Sequence, residues 1–377
     1  MKVALVYDRV NKIGGAERVL ETLHEIWPNA PLFTAVYHPQ TAPWAKKFKV
    51  IPSFLQKFPL AKSRHEFFPY LMPLAFESFS SRGGPAFGGN FDDYDVVISV
   101  TSEAAKGIIT KPKTFHLCYC LTPTRYLWSG YQDYFKNKAF RFLAKPIVDY
   151  LRYWDKIAAQ RPDAYLAISK NVQKRIKKYY RRNSEVIYPP VDNEKWKMEN
   201  GNWKIGSYFL LVSRLVPYKR ADIAVQAFNK LGLPLKIVGS GAEEGRLKRM
   251  AKKNIEFLGQ LTDKELLGYY QQCRALIFPQ EEDFGLVPLE VQACGRPVIA
   301  FQAGGALESV IEGVTGSFFY PQTSQALTRA VKKFRPESNY PPECRKNADR
   351  FSQEKFKINF KKRVEEEWRK HQSTFSY

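Results

Sequence analysis

No stretch of about 18 apolar residues occurs anywhere in the chain, which excludes a helix that crosses a bilayer. Near the start, the apolar run Val3 to Tyr7 is cut off by Asp8, too soon for a signal-peptide core. A protein neither integral nor exported by that route is expected. Cysteine is scarce: Cys118, Cys120, Cys273, Cys294 and Cys344 are odd in number and lack the paired spacing of a zinc site or disulfide framework. A reduced, cytosolic compartment follows as the expectation. There is no low-complexity tract and no repeat of fixed period, so the chain should be folded nearly end to end. Acidic residues are outnumbered, 37 Asp and Glu against 59 Lys and Arg, for a formal charge of +22. Solubility alone does not need so large an imbalance, so an anionic partner or surface is implied. Signatures of helix-turn-helix, zinc or RNP modules are missing as well, which sets nucleic acid aside and leaves anionic lipid.

What is present begins with size. At 377 residues, 44% of them hydrophobic and 25% charged, the chain is globular and best divided into two lobes, each with its own core. Short β-branched or aromatic runs alternate with helical segments, the pattern of parallel sheets with crossover helices. In the first lobe Val3–Tyr7, Val96–Ser99 and Ala164–Ile168 read as strands and Ala16–Ile26 as an amphipathic helix. In the second, Phe209–Ser213, Leu235–Val238, Ile255–Leu258, Ala275–Phe278 and Val298–Ala300 read as strands. Pro189 and Pro190 exclude helix and mark the connector between the lobes. The resulting division is 1–190, 191–352, and a last charged helix over 353–377. Much of the positive charge is interleaved with large apolar residues from Trp44 to Phe79. That mixture suits a membrane interface, where basic groups meet headgroups and aromatics meet acyl chains. A solvated basic face over ordinary core aromatics is the other reading.

Open α/β sheets bind ligands at the carboxyl ends of their strands, and four such places carry chemistry. Gly14 and Gly15 follow the first strand, and their lack of side chains would let backbone approach a phosphate or an acceptor. Arg214 and Lys219 follow the Phe209–Ser213 strand, two cations that converge where a departing diphosphate would gain negative charge. Gly239 ends the next strand and reads as a turn lining a base pocket, since Gly239-Ser240-Gly241 lacks the third glycine of a dinucleotide fingerprint. After Pro279 come Glu282, Phe284, Gly285, Leu286, Val287 and Glu290, where a loop carries one carboxylate and the helix opening at Gly285 carries the other. The free N–H groups of that opening can hold an anion. Glu281 reads as an acidic surface residue.

The spacing from Glu282 to Glu290, with Ala293-Cys294-Gly295-Arg296-Pro297 and Gly304-Gly305-Ala306-Leu307-Glu308 after it, resembles the E-x7-E region of retaining glycosyltransferases of family 4. The resemblance spans nearly the whole chain and is stronger in the second lobe. It implies the GT-B architecture: two Rossmann-like lobes with parallel sheets facing a central cleft, and a last helix that crosses back to the first lobe. It places Arg214 and Lys219 as the diphosphate clamp, Glu282 against the transferred sugar and Glu290 on the ribose. It also implies front-face transfer with retention, without a metal or other cofactor. Asp93 and Asp95 look like the metal-binding D-x-D of another glycosyltransferase architecture, but they precede a buried strand at the wrong end of the sheet. The segment Tyr119 to Trp128 resembles an element of bacterial surface-polysaccharide mannosyltransferases and puts Thr122, Arg125 and Tyr126 on the acceptor side. It departs from that pattern at Leu121, where the subgroup has histidine, so that role is absent or moved to His116 or Arg125. A satisfied strand residue is the plainer reading of His116. The expected activity is transfer of a hexose, mannose from GDP-mannose, to a saccharide or lipid-linked acceptor at the inner face of the cell membrane. Alternatives are a UDP- or ADP-sugar donor, a sugar-nucleotide epimerase of the same fold, and a non-catalytic sugar-nucleotide-binding protein.

Overall fold

Every side chain of the first strand, β1 (Val3–Tyr7), is buried, which requires a sheet covered on both faces. In the computed structural model, which describes residues 1–80, 91–196, 206–335 and 340–375, β1 lies near the middle of such a sheet. With β2 (Leu32–Thr34), β3 (Val50–Pro52), β4 (Val96–Thr101), β5 (Phe115–Cys120), β6 (Ala164–Ala167) and β7 (Glu185–Val186) it forms seven strands in the order β3-β2-β1-β4-β5-β6-β7. All pairs are parallel, with Val3 opposite Val96 and Val96 opposite Phe115. A second parallel sheet joins β8 (Phe209–Val212), β9 (Leu235–Val238), β10 (Ile255–Gly259), β11 (Leu276–Phe278), β12 (Val298–Phe301) and β13 (Gly316–Phe319) in the order β10-β9-β8-β11-β12-β13. In each sheet the chain reverses its direction of travel beside a central strand, β1 or β8, and ligands bind beyond the carboxyl ends at such switch points.

The chain divides into two compact units, Met1–Pro189 with the segment from Phe356 onward, and Pro190–Lys355. The break falls at Pro189-Pro190, where two fixed φ angles and two missing N–H groups stop regular structure. Helix Gln353–Ser373 begins in the second unit, where the Gln353 N–H donates to Val191 O at 3.0 Å. From Phe356 on it belongs to the first unit, where it buries Phe356, Phe360 and Val364. Phe360 meets Tyr119 edge-on at 5.2 Å and Trp27 at 6.3 Å.

The aromatic and basic stretch 44–79 divides. Trp44, Phe48, Leu55, Met72, Phe76 and Phe79 are buried, the last four in the core beneath β1 and β2. Only Phe58, Leu60, Phe67, Tyr70 and Leu74 are exposed, so most of the apolar half of that stretch is core. Among the described residues, no helix is long and apolar enough to cross a membrane.

Candidate active site

In the second unit the sheet delivers the expected residues at adjacent strand ends. β8 and β11 are neighbours; Arg214 follows the first and Glu282 the second. Lys219 lies in a short 3-10 turn, Pro217–Lys219, and is buried. Its Nζ donates to Glu282 Oε1, toward which the buried Gln280 also points Nε2 at 3.4 Å. Arg214 is exposed and its Nη2 donates to the Tyr218 hydroxyl. Tyr218 thus stands between the cations, its ring 5.2 Å from Lys219 Nζ and 5.9 Å from the Arg214 guanidinium. The loop carrying Arg214 is stitched to the Gly239 turn, since Ser213 N–H donates to Val238 O at 3.1 Å and Leu215 N–H to Ser240 O at 2.8 Å. Gly239 has φ of 125°, and a Cβ there would overlap the Ser213 carbonyl. Its glycine is required for this close approach. Gly304 and Gly305 do the same for the Glu282 loop: Gly305 N–H donates to Glu282 O at 2.9 Å, and a Cβ on either glycine would strike the 282–284 backbone.

The helix expected to open at Gly285 begins instead at Val287 and runs to Ala293. Pro288 in its first turn brings no N–H, so it offers fewer donors to an anion than expected. Phe284, Gly285 and Leu286 form the turn that leads in. Glu290 is buried and accepts the Tyr270 hydroxyl at 2.9 Å, an orienting partner that nothing in the local sequence announced. Glu281 is exposed.

In the first unit, Gly14 and Gly15 lead into helix Gly15–Ile26. Gly14 has φ of 179°, extended backbone open to any residue, so its reason is spatial: a Cβ would lie 3.0 Å from Glu17 Oε2. Glu17 is buried and accepts the Tyr7 hydroxyl at 2.6 Å; burial, and then the Glu17 charge, pushes the Tyr7 phenol up. Beside this loop lies a polar cluster that sequence reading missed. Asp8, buried at the end of β1, accepts the N–H groups of Ser102, Glu103, Ala104 and Ala105 at 2.7 to 3.0 Å and the Thr101 hydroxyl at 2.9 Å. Glu103 pairs with Arg9; burial raises its carboxyl above the ordinary range although Arg9 pulls it down.

Lys106 and Asp155 form a buried ion pair at 2.5 Å. Burial is the largest influence on Lys106 and works to lower its pKa, but the Asp155 charge and hydrogen bond, with smaller pulls from Cys120 and Asp8, together raise the net value. Asp155 also accepts Thr124 Oγ1 at 3.1 Å and Trp128 Nε1 at 2.7 Å. Within the Tyr119 to Trp128 element, those two residues therefore serve to hold the segment in place. Thr122 is buried and its hydroxyl donates to Pro123 O at 3.3 Å. Arg125 O accepts the Gly130 N–H at 2.8 Å. Tyr126 is raised in pKa by burial and then by Glu103. His116 lies in the middle of the sheet with Nε2 2.9 Å from Ser99 Oγ, and burial followed by the Arg161 and Arg182 charges lowers its pKa to about 3. It is a neutral strand residue and not a substitute at Leu121. Asp95 accepts the Lys2 N–H at 2.6 Å just ahead of β4, at the amino ends of the strands.

Residues 192–351 match the family described as Glycosyl transferases group 1. The chain is 32% identical over 170 residues to an uncharacterized glycosyltransferase of Methanocaldococcus jannaschii, covering 44% of this chain and 47% of that one. It is 29% identical over 219 residues to the O-antigen chain mannosyltransferase C of Escherichia coli, covering 54% and 57%. The chain spans about half the length of these curated relatives. Among solved structures, Anabaena HepE in complex with UDP has a TM-score of 0.72 over 97% of this chain and 100% of its own, at 18% identity. The two parallel-sheet units are those of the GT-B fold.

Proposed function

We propose, from the match of residues 192–351 to the Glycosyl transferases group 1 family, that the chain is a retaining, metal-independent glycosyltransferase. It moves a hexose, mannose from GDP-mannose, onto a saccharide or lipid-linked acceptor at the inner face of the cell membrane. The observation that carries this reading is Lys219, buried and paired with Glu282 at the ends of neighbouring strands, with Arg214 one loop away. An ammonium has three donors, and Glu282 engages one of them in the contact described. The others are suited to the oxygens of a diphosphate, with the exposed Arg214 fork as the second contact. As the glycosyl bond breaks, charge accumulates on the leaving phosphate, and cations already fixed there stabilise it more than the ground state. Glu282, tied to Lys219, then sits on the sugar side of the same phosphate, and Glu290, oriented by Tyr270, is the hydroxyl acceptor for the ribose. The likeness to the Escherichia coli mannosyltransferase supports mannose as the sugar. The direct test is thermal stabilisation by GDP, UDP and ADP, then turnover with the corresponding sugars. Stabilisation by GDP alone is the expected result; a preference for UDP or ADP reassigns the donor, and no response to any of the three overturns the reading.

A further inference from the structure

Helix Lys138–Ala158 turns most of its large apolar side chains to solvent. Across its 21 residues only Val148, Leu151, Asp155 and Ala158 are buried. Phe142, Leu143, Ile147, Tyr150, Tyr153 and Ile157 are between 44% and 77% exposed. At about 100° per residue those six fall within one arc of roughly 140°. The four buried positions occupy a separate arc, and between the two lie Lys138, Arg141, Lys145, Arg152 and Lys156. Passing round the helix, the faces are core, then basic, then apolar. Asp149 is the single acidic side chain outside the core arc, and it is taken up by Lys145 at 2.5 Å.

The helix is held firmly in this pose. Its N-terminus is capped by Asn137, whose Oδ1 accepts the Ala139 and Phe140 N–H groups at 2.9 and 3.2 Å. Near its other end, Trp154 Nε1 donates to Glu77 at 2.8 Å. Arg152 lies over the Tyr131 ring at 4.4 Å and donates from Nε to Leu127 O. The apolar arc is thus a fixed feature of the first unit.

We propose that this helix, and not the 44–79 stretch as a whole, is the surface by which the protein docks on an anionic lipid bilayer. Soluble monomers rarely expose a contiguous apolar patch of this kind. A second copy is a poor cover for it, because a two-fold interface would set the five cations against the same five cations. Anionic lipid answers both faces together: the apolar arc lies at the boundary of headgroups and acyl chains, tyrosine hydroxyls stay at headgroup level, and the flanking cations meet phosphates. The net charge of +22 supplies the long-range attraction. Trp154 and Glu77 fasten the docking helix to helix Met72–Glu77, on which Leu74 is also exposed. The proposal deepens the reading of a membrane-face transferase, and its test is arranged to fail separately from it.

The experiment is co-sedimentation of the full chain with vesicles of phosphatidylcholine, alone or mixed with phosphatidylglycerol. The wild type should partition to the mixed vesicles, and less so at high salt. The variant Phe142→Ser/Leu143→Ser/Tyr153→Ser should lose about tenfold or more of that partitioning with an unchanged melting temperature. Lys145→Glu/Lys156→Glu should lose the preference for phosphatidylglycerol. Equal partitioning of wild type and the triple variant overturns the proposal, as does a wild type that binds neither vesicle. A wild-type dimer in sedimentation equilibrium that becomes monomeric in the triple variant, with no lipid binding, assigns the face to a second copy instead. Stabilisation by GDP is measured alongside. Its retention in every variant leaves the donor reading intact whatever the vesicles show, and its absence in the wild type removes that reading without touching the docking result.

Discussion

The two units present polar clusters at the same topological place, beyond a central parallel strand, yet they are assembled in opposite ways. In the second unit Arg214, Tyr218 and Lys219 come from one loop and Gln280 and Glu282 from one other. In the first, Asp8 reaches donors 93 to 97 positions away, Lys106 pairs with a carboxylate 49 positions on, and Arg161 reaches Glu77 across 84 positions. The second cluster is part-exposed, with side-chain exposures of 10% for Lys219 and 25% for Glu282, whereas Lys106 and Asp155 stand at 2% and 1%. A charge pair that solvent or ligand can reach is available to chemistry. A pair fully withdrawn from water fixes geometry, and is costly to break because one partner is left charged and unsolvated.

The sharpest way to break this contrast is Asp155→Ala, which strands the Lys106 ammonium in the core and removes the partner of Thr124 and Trp128. It should cost about 3–5 kcal/mol, read as a fall in the urea midpoint at constant slope, with much of the loss recovered in Lys106→Met/Asp155→Ala. An Asp155→Ala protein of normal stability and no turnover would show that the first cluster is chemical after all. Next in size, Lys219→Ala and Arg214→Ala should each lower kcat by about 10²-fold with little change in melting temperature. Loss of fold in either variant would erase the distinction between the clusters. Smaller again, Glu290→Ala should raise the donor KM with a lesser fall in kcat, since ribose contacts are made before and during the reaction alike. At the bottom of the scale, excess EDTA should leave turnover unchanged; activity restored by Mg²⁺ or Mn²⁺ would mean that the clamp does not act alone.

The same contrast explains what could be read in advance. Strands such as β1, β4 and β11 announce themselves as apolar runs bounded by polar residues, and the residues that follow β8 and β11 lie in contiguous motifs. Glu282 and Lys219 were both legible, though not that they touch. β2, β3 and β7 are only two or three residues long, and runs that short leave no periodic signal. Of β5, only His116 was read as a strand residue, because Phe115–Cys120 mixes it and two cysteines into a strand buried throughout. The role of Asp8 is illegible for another reason: an aspartate after a strand looks like any turn residue until the loop at 102–105 is brought to it by the β1–β4 pairing. Helix Lys138–Ala158 was not singled out although its apolar residues recur on one face; what periodicity cannot say is that this face points to solvent, since a buried and an exposed apolar stripe read alike.

The last helix has a consequence for how the protein is made. Tyr119 and Trp27 are covered by Phe360, so a wall of the first unit is supplied by the end of the chain. A ribosome adds about 5–20 residues per second and domains tend to fold in order of synthesis. Here the whole of Pro190–Lys355 must be made before that wall arrives, on the order of ten to thirty seconds later at such rates. During that interval the nascent first unit carries bare aromatic surface on the ribosome. The second unit is contiguous in sequence, Pro190–Lys355, so it can finish folding before the first.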